Sequence, residues 1–380
     1  MMAIYLVALM SMLCHTAFGG SRVVVSLLAI ELGASQIGVG LLASLYALCP
    51  MLLAIYTGKV IDRVGARPPM IAGLLGIALC LLLPVGLPHV TVLYIVALPL
   101  GFSFMIFFVA VQGITGAIGR EQDRARNYGL LSIGFSVAGF IGPLIAGFSI
   151  DYLGHQRALL ILASCAVPPI LLLWLRQGLI PRIPRAAESK STQSVLDLLR
   201  IPALRRTFIA SGFISAAWDL YSFYMPVYGH HIGLSASAIG MILASFALAT
   251  IVVRIFLSTL VRRGNEMRIL NRALFVAAGA YFLFPFFENA WLLAAISFLL
   301  GLGVGTGQPL SMNLIYSLAP HGRAGEAAGV RVTANHATHV TIPLVFGGIG
   351  SAFGFAPVFV ANGMLLLAGG FLNDRAARRR

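Results

Sequence analysis

Twelve acidic residues are spread along this 380-residue chain, and one of them, Asp219, lies deep inside an apolar stretch, in the run AAWDLYSFYMP. A carboxylate in such surroundings is expensive to keep and marks a functional position by default. The first apolar stretch supplies a possible counterpart in Arg22, on a helix face similar to that of His15. Three roles are open for the two: a structural ion pair, an Arg22 anchor for an anionic substrate that displaces Asp219, or a coupling proton carried by Asp219. His336 and His339, beside Asn335 in a later stretch, are proton carriers suited to neutral pH, or else buried and merely hydrogen-bonded. Trp218, Tyr221 and Tyr224 suit an amphipathic ligand, although aromatic residues at helical spacing also read as core. Gln112, Gln308 and Asn313 are further polar candidates for binding, whereas Arg254 and Arg331, near the ends of their stretches, are expected to snorkel to the membrane surface.

None of this is the chemistry of an enzyme. The chain has no HExxH, GxSxG or phosphate-binding loop and no paired carboxylates. Cys14, Cys49, Cys80 and Cys165 lie in apolar runs with no CxxC pair, and no histidine stands at metal-ligand spacing. No cofactor and no metal are expected.

The elements that must position these residues are legible in composition. Hydrophobic residues make up 59% of the chain and charged residues 10%, with a mean hydropathy of +0.93, which describes a protein solvated by lipid. About 20 apolar residues cross a bilayer, and twelve such stretches start near residues 3, 36, 69, 92, 128, 156, 206, 236, 268, 291, 328 and 355. The first lacks a basic leader and reads as a span like the others. The net charge of +14 lies between the stretches, so its partner is the membrane surface and not nucleic acid. Of the 26 lysines and arginines, all but Arg22, Arg157, Arg254 and Arg331 fall in connections on one side or in the C-terminal tail. Positive loops face the cytoplasm, which predicts an integral protein of the plasma (bacterial inner) membrane with both termini inside.

The one long connection divides the chain into a six-helix bundle over 1–176, a cytoplasmic loop over 177–205, a second bundle over 206–373 and a basic tail over 374–380. An internal repeat agrees. At an offset of 200, Gly101, Gly129, Pro143, Gly147 and Gly154 fall on Gly301, Gly329, Pro343, Gly347 and Gly354. At an offset of 201, Leu42, Ala43 and Ser44 fall on Leu243, Ala244 and Ser245, and Asp62 falls on Arg263. Span 10 carries glycines at 301, 303, 305 and 307 before Gln308 and Pro309, which makes it a candidate moving helix or a static packing groove.

Between spans 2 and 3 the run GKVIDRVGAR places Gly58, Asp62, Arg63, Gly65 and Arg67 in a pattern that resembles the corresponding loop of the major facilitator superfamily. Ile61 and Ala66 stand where the family usually has a small residue and an arginine. The segment LLRIPALRR before span 7 is similar to what precedes that helix in many members. Span 5, with Gly129, Gly142, Pro143 and Gly147, resembles the glycine-rich pattern of its proton-coupled antiporters, with Ala138 and Ala146 replacing two glycines. Close helix packing alone would also explain these small residues. The antiporter arginine of span 4 is absent, Val109 taking its place before Gln112 and Gly113.

The resemblance implies an all-α fold of twelve transmembrane helices in two six-helix pseudo-symmetric bundles, with helices 1, 4, 7 and 10 around a central cavity. Arg22 and Asp219 would then face one aqueous space. Asp62 would dock on the start of span 11, around Gly325 to Gly329, and latch the inner side shut; headgroup anchoring is the other reading of that loop. The expected function is secondary active transport of a small amphipathic or anionic compound by alternating access, as proton-coupled export. A proton-linked or passive importer of organic anions or sugars is the alternative, and a non-transporting receptor or scaffold on the same fold is a third. Expected partners are a small-molecule substrate, protons and the bilayer, with the protein acting as a monomer.

Overall fold

Helices carry the whole architecture. The computed structural model describes residues 2–119, 123–176, 197–260, 266–320 and 323–377, and no strand occurs among them. The helices are α1 Met2–Glu31, α2 Gln36–Val64, α3 Arg67–Gly86, α4 Val90–Ala117, α5 Arg124–Leu153, α6 His155–Ser164, α7 Val167–Leu175, α8 Asp197–Arg200, α9 Pro202–His231, α10 Ala236–Leu260, α11 Glu266–Leu283, α12 Ala290–Leu318, α13 Ala324–Phe353 and α14 Phe355–Ala377. With α6 and α7 counted as one interrupted crossing and the four-residue α8 set aside, twelve long elements remain. Their starts fall close to the expected ones. The sixth differs in being broken at Cys165 and Ala166, because Pro168 and Pro169 open α7 and withhold two backbone N–H groups from α6. The helix expected from residue 206 begins at Pro202, a residue suited to the first helical turn.

Helix ends are set by local chemistry. Ser35 caps α2 by accepting from Gly38 N, and Asn289 caps α12 by accepting from Trp291 N and Leu292 N. Gly154 and Gly354 make one-residue breaks, α5 to α6 and α13 to α14, at φ of 83° and 82°, where a side chain would strain the backbone.

Ten crossings are long and apolar enough to span a membrane on length and hydropathy alone. The other two, α9 and α13, are 30 residues each and carry the intramembrane acid and histidines. A helix too polar to face lipid must turn that polarity toward protein or an aqueous cavity, and α9 and α13 pack on each other.

Two crossed seams join the pseudo-symmetric halves: α5 packs on α10, and α2 packs on α13. Gly240 of α10 lies so close to the Pro143 carbonyl of α5 that a Cβ would collide with it, and Gly40 of α2 meets the Pro343 carbonyl of α13 in the same way. Gly101 against Tyr46 and Gly301 against Phe246 repeat the relation inside each half. These contacts register α2 on α10 at an offset of 200, the value found for the rest of the repeat, so the sequence match at 201 is displaced by one residue. The stretch opposite GKVIDRVGAR, residues 261–265, lies outside the described residues.

Candidate functional site between α9, α12 and α13

Asp219 sits on α9 with 2% of its surface exposed. Its Oδ1 is hydrogen-bonded to His339 Nδ1 of α13, and its Oδ2 accepts from the Thr338 hydroxyl at 3.5 Å. His336 lies one turn away on the same face, its ring centroid 5.7 Å from that of His339. Of the three roles open for Asp219 and Arg22, the ion pair is not formed here, and Asp219 pairs with His339. Arg22 instead lines a small cleft between α1, α2 and α9 with Tyr46, Ser222 and Phe223.

Toward the start of both helices the polar contacts continue. Arg331 of α13 donates from Nη1 to Ser211 Oγ of α9 at 3.3 Å and to Gln308 Oε1 and Ser311 Oγ of α12 at 3.0 and 3.2 Å. The Ser211 hydroxyl also donates to Asn335 Oδ1 at 3.4 Å. Two ladders at four-residue spacing thus oppose each other, Ser211, Ser215 and Asp219 on α9 and Arg331, Asn335 and His339 on α13. The Ser215 hydroxyl between them is buried without a partner.

Arg331 was expected to snorkel, and it does not. Only 7% of it is exposed, because three side-chain oxygens from α9 and α12 hold its guanidinium inside the bundle. Arg254 of α10 is also directed inward, donating to Ser136 Oγ of α5 at 2.8 Å across the seam.

The remaining candidates separate into contacts within the core and groups left open. Tyr221 is buried, donates to the Ile242 carbonyl at 3.0 Å and stacks on Phe246. Tyr224 donates to Gln36 Oε1 of α2 at 3.0 Å, which makes it a tie between the halves. Trp218 is half-buried, edge-on to Phe246. Gln112 is half-buried, its carbonyl accepting from Tyr128 at 3.0 Å. Gln308 belongs to the Arg331 cluster, whereas Asn313 is exposed and outside it.

The gate residues divide by end of the bundle. At the end holding GKVIDRVGAR, Asp62 and Arg63 are exposed, and Asp62 has no hydrogen bond among the described residues, so it is undocked. Gly58 has open space around it, and Gly65 closes α2 at φ 83°. Arg67 donates to the Leu173 and Trp174 carbonyls at 2.9 and 3.3 Å, satisfying the C-terminus of α7. At the other end, Gly147 fits against Ala236 and Ser237 of α10, and Gly142 lies against Thr16 and Gly20 of α1. There Asp151 accepts from Ala236 N at 3.0 Å and from Ser237 N at 2.8 Å, a carboxylate on a helix N-terminus. The mirror contact is Ser351 Oγ accepting from Ile37 N at 3.0 Å.

Sequence reasoning missed Ser211, Ser311, Thr338, Arg331 and Asp151. The four-residue spacing of 211, 215 and 219 and of 331, 335 and 339 was the signal for the ladders. For Asp151 it was an acid in the last turn of its own helix, where the dipole disfavours it unless it serves another.

The chain as a whole is similar to known membrane transport and resistance proteins. The chain is 24% identical over 321 residues to the tetracycline resistance protein, class B, of Escherichia coli, covering 82% of this chain and 78% of the relative. It is 24% identical over 348 residues to the multidrug resistance protein MdtG of Salmonella choleraesuis (strain SC-B67), covering 90% and 85%. The solved structure of the nucleoside transporter NupG superposes with a TM-score of 0.79 at 14% identity, covering 99% of each chain. A POT family transporter gives 0.81 at 13% identity, covering 99% and 96%. Residues 7–343 match the Major Facilitator Superfamily, and the chain belongs to that family.

Proposed function

We propose that the protein is a proton-coupled exporter of a small amphipathic or anionic compound, working by alternating access between the halves 1–176 and 206–373, joined by 177–205. The observation that carries this reading is the contact between buried Asp219 and half-buried His339, on the two crossings outside the ten that are apolar enough to span on hydropathy alone. A carboxylate and an imidazole in contact can hold one proton between them as a net-neutral pair, and giving it up leaves the negative charge of the carboxylate, so loading and unloading the proton changes the charge at this point of the bundle. The sealed seams beside Asp151 and Ser351, with Asp62 undocked at the opposite end, support a bundle closed on one side and open on the other. The names of the resistance relatives support export. Both termini face the cytoplasm of the plasma membrane, and a single copy carries the site.

The test is reconstitution in proteoliposomes with an imposed pH gradient, following lumenal pH as lipophilic cations, organic anions and sugars are added. Substrate-dependent proton flux is expected in the wild type and lost in Asp219→Asn. Flux that persists in that variant would move the coupling elsewhere, with His336 the next group to substitute.

A further inference from the structure

Among the described residues, Arg331 is a buried cation without a counter-ion. Its Nη1 donates to three neutral oxygens, and its Nε has no partner although it is shielded from solvent. The carboxylates within reach of the same helices are taken: Asp219 is bound by His339, and Glu326 is gripped by Arg323, with Nε at 2.9 Å. Along α9, Ser211 and Asp219 are separated by about 12 Å at 1.5 Å per residue, too far for Asp219 to neutralise Arg331 by contact. Arg254 repeats the theme, with a single serine hydroxyl as its partner and a buried, unpartnered Nε. A guanidinium kept out of water without an anion is unfavourable unless something supplies the charge.

We propose that Arg331 is the anchor for an acidic group of the transported molecule, so that the cargo is an organic anion. This rests on the transport reading above and narrows it. Ser211, Gln308 and Ser311 hold Nη1 and leave Nε unpartnered but shielded, so an anion reaches it only as α9, α12 and α13 part, and an arginine fork is matched to the two oxygens of a carboxylate or sulfonate. With Asp219 already paired to an imidazole and Glu326 to Arg323, no unpaired carboxylate of α9, α12 or α13 among the described residues repels that ligand.

Two dyes with the same xanthene skeleton and opposite charge, fluorescein and rhodamine 123, separate the possibilities. Their binding to the purified full-length protein in nanodiscs is read by fluorescence polarisation, and their movement is read in proteoliposomes. Fluorescein is expected to bind saturably, to lose more than about tenfold in affinity in Arg331→Gln, as truncation of a buried charge contact does, and to recover partly in Arg331→Lys. Gln308→Ala, which loosens one tether and keeps the charge, is expected to weaken fluorescein binding less than Arg331→Gln does; equal losses would mark a purely structural arginine. The proposal is overturned if the wild type does not bind fluorescein, if Arg331→Gln binds it unchanged, or if rhodamine 123 is preferred. Arg331-dependent binding with no movement into vesicles would sink the transport reading and leave the anion site standing. Rhodamine 123 movement that Arg331→Gln leaves intact would do the reverse.

Discussion

A buried carboxylate is stable only as part of a group, and Asp219 shows which one: His339 on one oxygen and Thr338 on the other. Removing His339 strands the buried carboxylate, whereas replacing both groups can be close to neutral; because the His339 side chain is 34% exposed, the loss falls below that of a fully buried pair. A double-mutant cycle with Asp219→Asn and His339→Gln is accordingly expected to be non-additive by roughly 1–3 kcal/mol in the stability of the solubilised protein. Additive losses would mean that the two residues act separately. Asp219 stands out in the sequence because a lone acid in an apolar run must be either paired or used. Its partner does not, because composition cannot say which of several polar groups on other helices will meet it. Arg22 is the nearest in charge, and His339 is the one that packing delivers. Arg331 is misread for the same reason, since its distance from a helix end says nothing about the oxygens of α9 and α12 that hold it.

Among the elements, α10 depends on a residue of another helix for its first turn. Asp151 satisfies two of the N–H groups that every helix start leaves open. Losing such a cap costs about 1 kcal/mol, or about a fivefold change in a two-state population. Asp151→Ala is therefore expected to shift the protein about fivefold toward the state open at that end. Spin labels at Tyr152 and Ile37, both exposed there, should show a longer-distance population growing in; an unchanged distance distribution would show that the cap does not bias the equilibrium. The number of crossings and their starts were legible in hydropathy, because lipid imposes length and apolarity directly. The seams were half legible. The repeat exposes Gly147 with Gly347 and Pro143 with Pro343, but the glycines they meet, Gly240 and Gly40, are known only once the halves are apposed. The break between α6 and α7 was legible in Pro168 and Pro169, yet a long apolar run reads as one crossing when hydropathy is averaged.

For the molecule as a whole, the two ends behave oppositely. Where the seams close, backbone meets backbone through glycine; at the end of GKVIDRVGAR, Asp62 is free. If Asp62 docks on the start of α13 in the other state, Asp62→Asn weakens that closure by about 0.3–1 kcal/mol, as expected for a charge at a helix terminus. A cysteine introduced at Gly329, an exposed position on the first turns of α13 with open space around it, should then label about two- to fivefold faster with an impermeant thiol reagent. An unchanged rate would remove the latch. The closed end, for its part, is fastened unequally. An ionised carboxylate with two donors ties α5 to α10, while a neutral hydroxyl with one donor ties α13 to α2. If the halves rock, the weaker tie yields first, so this end parts as a door does: it swings on the α5–α10 edge and gapes at the α2–α13 edge, and the mouth it makes is lopsided even though the chain that forms it is a repeat.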